Sequence, residues 1–173
     1  MKRVAIFIDG GNLYNGLKNL NRKVDYGKLI GELKEDYKLV YVYYYTAELD
    51  WKTNLRKFLA QRGFFKILKG IPKMSIILCS LRKVKRKDGK IEFVVKGDDA
   101  LLIRDLLLGA FHDEYDIAII VSGDEDFLPI IQTLQGYGKT VANAYFKDSS
   151  SQALRKICDY SIQLDLILDK IGV

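Results

Sequence analysis

Aspartates in this chain stand where apolar stretches end. Asp9 closes the apolar run at residues 4–8, and Asp124 and Asp126 follow the apolar run Ile117–Val121. Asp98 and Asp99 precede the helical stretch that feeds the second run, and Asp105 lies further along that stretch. If the two runs are neighbouring strands, the first five acids converge on one edge, and Asp105 approaches it. Carboxylates held close together raise one another's pKa unless a cation neutralises them. A hard divalent ion such as Mg²⁺ or Mn²⁺ prefers oxygen ligands and meets that need. Each acid alone also has a plainer role. Asp9 can form a turn, Asp98 or Asp99 can cap a helix, and Asp105 can pair with a basic neighbour. The convergence, not any single acid, carries the inference.

The elements that must position these acids follow from the apolar pattern. Residues 4–8 read as a central buried strand closed by Asp9-Gly10-Gly11, with Asn12 as the N-cap of a helix over 13–20. A second helix spans 28–37, and a strand spans 39–45. A basic helix covers 52–61 with Leu55, Phe58 and Leu59 as its buried stripe, and residues 64–68 form a short strand. Phe64 and Phe65 fit a core there better than a base-stacking surface. Residues 75–85 and 91–95 pair as a hairpin around Lys87-Asp88-Gly89. A helix over 99–111 leads into the strand at 117–121. A helix over 127–134 tolerates Pro129 in its first turn. A strand at 140–145 and a helix at 151–156 follow, and the tail from 162 is a strand or a short helix. Strands apolar on both faces, alternating with helices, indicate a mostly parallel α/β sheet covered on both sides. Such sheets bind ligands beyond the carboxyl ends of their strands, which is where Asp9, Asp124 and Asp126 fall.

The chain has 173 residues, 49% of them hydrophobic, which suits one domain over 1–173. No apolar run approaches the roughly 18 residues of a membrane span. The first apolar stretch is too short for a signal-peptide core of about 7–15 residues. Two cysteines, Cys79 and Cys158, do not make a structural zinc site, and the single histidine, His112, excludes His-pair chemistry. A cytoplasmic, reducing setting is the expectation. The net charge is +6, but it is unevenly spread. Residues 52–90 carry 13 Lys or Arg and one acid, a net of +12, which leaves the rest of the chain at −6. A basic segment within an acidic domain suits a polyanion partner and a separate acidic site.

The segments FIDGGNLY (7–14), KGDDALLIRD (96–105) and VSGDEDF (121–127) resemble, in order and spacing, the NYN-domain proteins of the LabA-like group. That group lies within the PIN-like nuclease superfamily. The resemblance implies a three-layer α/β/α, PIN-like (Rossmann-like) fold with a mostly parallel central sheet and a basic β-hairpin insertion. It implies a metal-dependent ribonuclease that uses one or two Mg²⁺ or Mn²⁺ ions. The family's catalytic and metal-binding acids fall on Asp9, Asp99, Asp124 and Asp126. Asn12, Asp98, Asp105 and Ser122 fall beside them as orienting groups or further ligands, and Asp98 and Asp99 both remain open as the ligand. Glu125 occupies a slot more often small in the family. The basic residues Lys52, Arg56, Lys57, Arg82, Lys83, Lys85, Arg86, Lys87 and Lys96 are the expected phosphate contacts. Single-stranded RNA is the favoured partner, with DNA and self-association left open.

Three other readings compete. A module that binds RNA without cutting it would share the fold. A phosphohydrolase of small esters would want a second Asp two residues after the first, where Gly11 stands. A dinucleotide-binding oxidoreductase would want GxGxxG after a strand, and DGGN lacks that spacing.

Overall fold

The computed structural model describes residues 1–85, 89 and 91–173, apart from the side chains of Lys83 and residues 91–95. Along the chain run β1 (Arg3–Asp9), α1 (Gly10–Asn19), α2 (Tyr26–Lys34), β2 (Lys38–Ala47) and α3 (Leu55–Lys69). Next come β3 (Met74–Lys85), β4 (Ile91–Lys96), α4 (Asp98–Phe111) and β5 (Ile117–Val121). The chain ends with α5 (Leu128–Gly136), β6 (Thr140–Tyr145), α6 (Gln152–Ile157), β7 (Tyr160–Gln163) and α7 (Leu168–Ile171). The strands form one sheet in the order β4-β3-β2-β1-β5-β6-β7. Every neighbouring pair is parallel except β3 with β4.

Continuous apolar sequence explains the centre. Val4, Ile6 and Ile8 face one helical layer with Leu13, Leu29, Leu33 and Leu168. Ala5 and Phe7 face the other with Leu102, Leu106, Ile131 and Leu154. Helices thus cover both faces, giving the three layers expected of a PIN-like chain. β1 and β5 lie side by side, Ile8 opposite Val121, so both strand ends reach the same carboxyl edge. Among the described residues, no helix is long and apolar enough to cross a membrane.

The basic hairpin is an extension of the sheet. β2 ends at Ala47 opposite Cys79, while β3 continues through Lys85 paired only with β4. Six residues at about 3.3 Å each carry it roughly 20 Å past its parallel neighbour.

Three local expectations are corrected. Residues 64–68 are not a strand, because α3 continues through them to Lys69. Gly63 meets no obstacle as a helical residue, and Phe65 and Leu68, three apart, share the buried face. The buried stripe of that helix is not Leu55, Phe58 and Leu59, since Leu55 and Leu59 are more than half exposed. The phase is set by Phe65 and Leu68 against the sheet. Asn12 is not the N-cap of the first helix, because β1 passes into α1 without a loop. Asp9 caps it, accepting the Asn12 N–H at 2.9 Å. The tail at 162 resolves as β7, a 3-10 turn and α7.

Candidate metal centre

The site begins with two abrupt strand-to-helix transitions. At the first, α1 starts at Gly10 directly after Asp9. A side chain at Gly10 would meet the Tyr45 carbonyl at 2.5 Å and the Tyr44 ring at 2.7 Å. Only glycine lets the chain turn this close to β2. At the second, Ser122-Gly123 follow the end of β5, and a Cβ on Gly123 would lie 2.3 Å from the Ser149 carbonyl oxygen. Asp124 then caps a 3-10 turn by accepting the Asp126 N–H at 3.0 Å. The third contribution comes from α4, whose N-cap is Gly97 in the left-handed region at φ +86°. Neither Asp98 nor Asp99 is therefore the cap; both sit in the first helical turn.

These turns bring Asp99, Asp124 and Asp126 together, with one oxygen of each within 4.8 Å of the others. Asp9 is buried behind them. One of its oxygens accepts the Asn12 N–H, and the other accepts the Ser122 hydroxyl at 3.0 Å. The same hydroxyl accepts the Asp124 N–H at 3.2 Å. The Asn12 side chain accepts the Gly123 N–H at 3.0 Å. One short network thus ties the first acid turn to the second.

Electrostatics mark the cluster as a place short of positive charge. Burial, then Asp98, Asp9, Asp124 and Asp126, push the Asp99 carboxyl up to about 6. Burial also raises Asp9, against the lowering effect of its two hydrogen bonds. Three converging carboxylate oxygens match the donor set of a hard divalent ion. That fit rests on the carboxylates themselves.

Asp98 is half-buried beside the cluster. Asp105 is held away from it, accepting the Tyr45 hydroxyl at 3.0 Å and pairing with Arg104 at 2.7 Å. Glu125 is exposed. Lys57 lines a cleft with Gly10 and Asp98, and Lys52, Arg56, Lys57 and Lys96 are all exposed. Arg82 and Lys85 are exposed on the projecting part of β3. Arg86, Lys87 and the Lys83 side chain lie outside the described residues.

Two further positioning residues, Asn143 and Tyr45, have no sequence motif that marks them. Asn143 is fully buried on β6 and donates to the Ser122 carbonyl at 2.7 Å and the Ile120 carbonyl at 3.2 Å, fixing the end of β5. It is the only polar side chain between Val141 and Ala144, which marks it in retrospect. Tyr45 holds Asp105, but nothing separates it from the other tyrosines of β2.

The family model of the NYN domain matches residues 3–165. A solved structure, that of a protein of unknown function from Vibrio parahaemolyticus, is 26% identical to the chain. It superposes with a TM-score of 0.75, covering 99% of this chain and 96% of that one. Nothing among curated proteins matches the chain.

Proposed function

The chain belongs to the NYN domain family, and on that basis we propose that it is a metal-dependent ribonuclease that cuts single-stranded RNA. The observation that carries this reading is the convergence of Asp99, Asp124 and Asp126 at the carboxyl edge of a parallel sheet. That edge is where such folds hold their ligands.

Asp99, Asp124 and Asp126 would hold Mg²⁺ or Mn²⁺. When bound, such an ion activates water and stabilises charge on the phosphate oxygens. Asp9 keeps Ser122 in place, and Ser122 in turn fixes the Asp124 backbone. Asp9 also adds charge behind the three ligands and is offered as a further ligand. Asn12 locks the Gly123 turn. Asp98 adds negative charge and so strengthens the demand for a cation. Asp105, tied to Tyr45 and Arg104, braces α4.

The substrate is an anion approaching an acidic edge. The exposed cations Lys52, Arg56, Arg82, Lys85 and Lys96 offset that repulsion by meeting flanking phosphates. A reducing, cytoplasmic setting suits the free Cys79 and Cys158.

The test uses end-labelled single-stranded RNA and DNA of one sequence, with Mg²⁺, Mn²⁺ or EDTA, beside Asp124→Asn. The expected result is RNA cutting with either metal, none with EDTA, and at least a hundredfold loss in the variant. Salt-sensitive RNA binding with no cutting under any condition would instead favour a binding module on the same fold.

A further inference from the structure

One surface of the molecule is left unused by the acids and the hairpin. A cleft of about 600 Å³ opens beside the cluster, bounded there by Gly10, Gly11 and Asp98. Its walls are Tyr14, Tyr26 and Phe64, with Lys57 at the rim. A second cleft of about 820 Å³ shares those three aromatic residues and ends among Lys18, Asn21 and Lys23. The two form one groove between α1 and α3 with an aromatic waist. Each half falls in the roughly 300–1,000 Å³ range of small-molecule sites.

The groove follows from the spacing on α1. Gly11, Tyr14, Lys18 and Asn21 recur at intervals of three and four, which places them on one helix face. α1 starts at the acidic edge, so this face leads away from it over roughly 15 Å. Tyr14 is 61% exposed despite its ring. Phe64 is instead held in place, edge-on to Tyr26 at 5.2 Å and to Tyr44 at 5.7 Å. Among the described residues lining the far end, beside Val173, Asp25 is the one with an acidic side chain, and it is engaged in capping α2 through the Lys28 N–H. Arg22 there is engaged with Asp169. Lys18 and Lys23 remain as the cations beyond the waist.

We propose that a single strand of nucleic acid runs from the acidic edge along this groove, stacking a base on the exposed ring of Tyr14 beside the partly buried Phe64, and placing phosphates at Lys57, Lys18 and Lys23. Alternating aromatic faces and cations are how proteins hold single strands without reading sequence. An acidic peptide is a poorer fit, since it presents a flat ring only at an aromatic residue, whereas a nucleic acid presents one with every phosphate. The proposal rests on the nuclease reading, because it is continuity with the acid cluster that gives the groove its substrate.

The test is fluorescence anisotropy of a labelled twelve-nucleotide oligouridylate, in EDTA so that nothing is cut. It compares wild type with Tyr14→Ala, Tyr14→Phe and the double variant Lys18→Glu/Lys23→Glu. All three positions are exposed, and matching melting temperatures check the fold. Tyr14→Ala is expected to weaken binding about five- to a hundredfold, the cost of losing one stacked base, and Tyr14→Phe to restore it. The double variant should lower the slope of log affinity against log salt by about 1.4, two phosphates' worth. If wild type binds and cuts RNA but all variants bind as it does, the groove assignment is overturned and the nuclease reading stands. If wild type neither binds nor cuts, both fall together.

Discussion

The Ser122 hydroxyl donates to the Asp9 carboxylate at 3.0 Å, linking the last residue of β1 to the residue just after β5, 113 positions away in the chain. The same oxygen accepts the Asp124 N–H, so a single side chain couples the buried acid of β1 to the acid turn after β5. Its removal leaves Asp9 short of one hydrogen bond and the Asp124 turn without its anchor.

Ser122→Ala therefore loosens the site without emptying it of acids. Partners that orient metal ligands are worth about 10–100-fold in metal affinity. A Mn²⁺ titration of this variant should show a loss in that range, with the sheet intact by circular dichroism.

The raised Asp99 gives a dependence on pH whose sign is fixed. A carboxyl held at about 6 when folded binds its proton more tightly than in the unfolded chain. Without divalent ions, stability is then full below about pH 4 and declines as the pH rises to about 6. Asp99→Asn removes the penalty at neutral pH. A relief of about 1 kcal/mol, discounted for the partial exposure of Asp99, raises the melting temperature by about 2–4 °C in a chain of this size. Thermal scans of the metal-free proteins should show that gap at pH 7.5 and its closure at pH 4. Added Mn²⁺ should stabilise wild type more than the variant.

Gly123→Ala tests the close approach at the second turn. Its Cβ would lie 2.3 Å from the Ser149 carbonyl oxygen and 2.8 Å from the Ser150 Cα, both backbone atoms that cannot rotate aside. Overpacking of this kind costs about 1–3 kcal/mol. Urea unfolding should report a loss in that range, and displacement of the Asp124 turn should lower cutting as well.

The opposite edge of the sheet offers a control. Asp116 accepts the Arg3 backbone N–H at 2.7 Å and pairs with its guanidinium at 2.7 Å, which holds the carboxyl down at about 2. Its contribution is present above the ordinary carboxylate range and is lost as the pH falls towards 2. Asp116→Ala should lower the melting temperature by a few degrees at pH 7. It should leave Mn²⁺ affinity unchanged, because the residue immediately precedes β5 while the acid cluster lies beyond the strand's far end.

What the sequence made legible tracks how strongly the environment constrains each residue. Ile117–Val121 and Thr140–Tyr145 are read with their observed bounds because central strands need unbroken apolar sequence. The acids at the ends of two such strands follow from the same reasoning. Residues 64–68 fail because a short apolar run is the same in a strand and in a buried helix turn. Leu55 and Leu59 fail because helix phase depends on which face the sheet covers, a tertiary fact. Asn12 fails because a strand that enters a helix without a loop moves the cap back to Asp9. Asn143 and Tyr45 act through contacts 21 and 60 positions away, which no local pattern encodes.

The central claim is that Asp99, Asp124 and Asp126 make one divalent-cation site. Mn²⁺ binding followed by electron paramagnetic resonance tests it most directly, since free and bound ions are counted separately. The account predicts saturable binding in wild type that is abolished in Asp124→Asn and retained in Asp105→Asn. Equal binding by wild type and Asp124→Asn, or none by wild type, would contradict it.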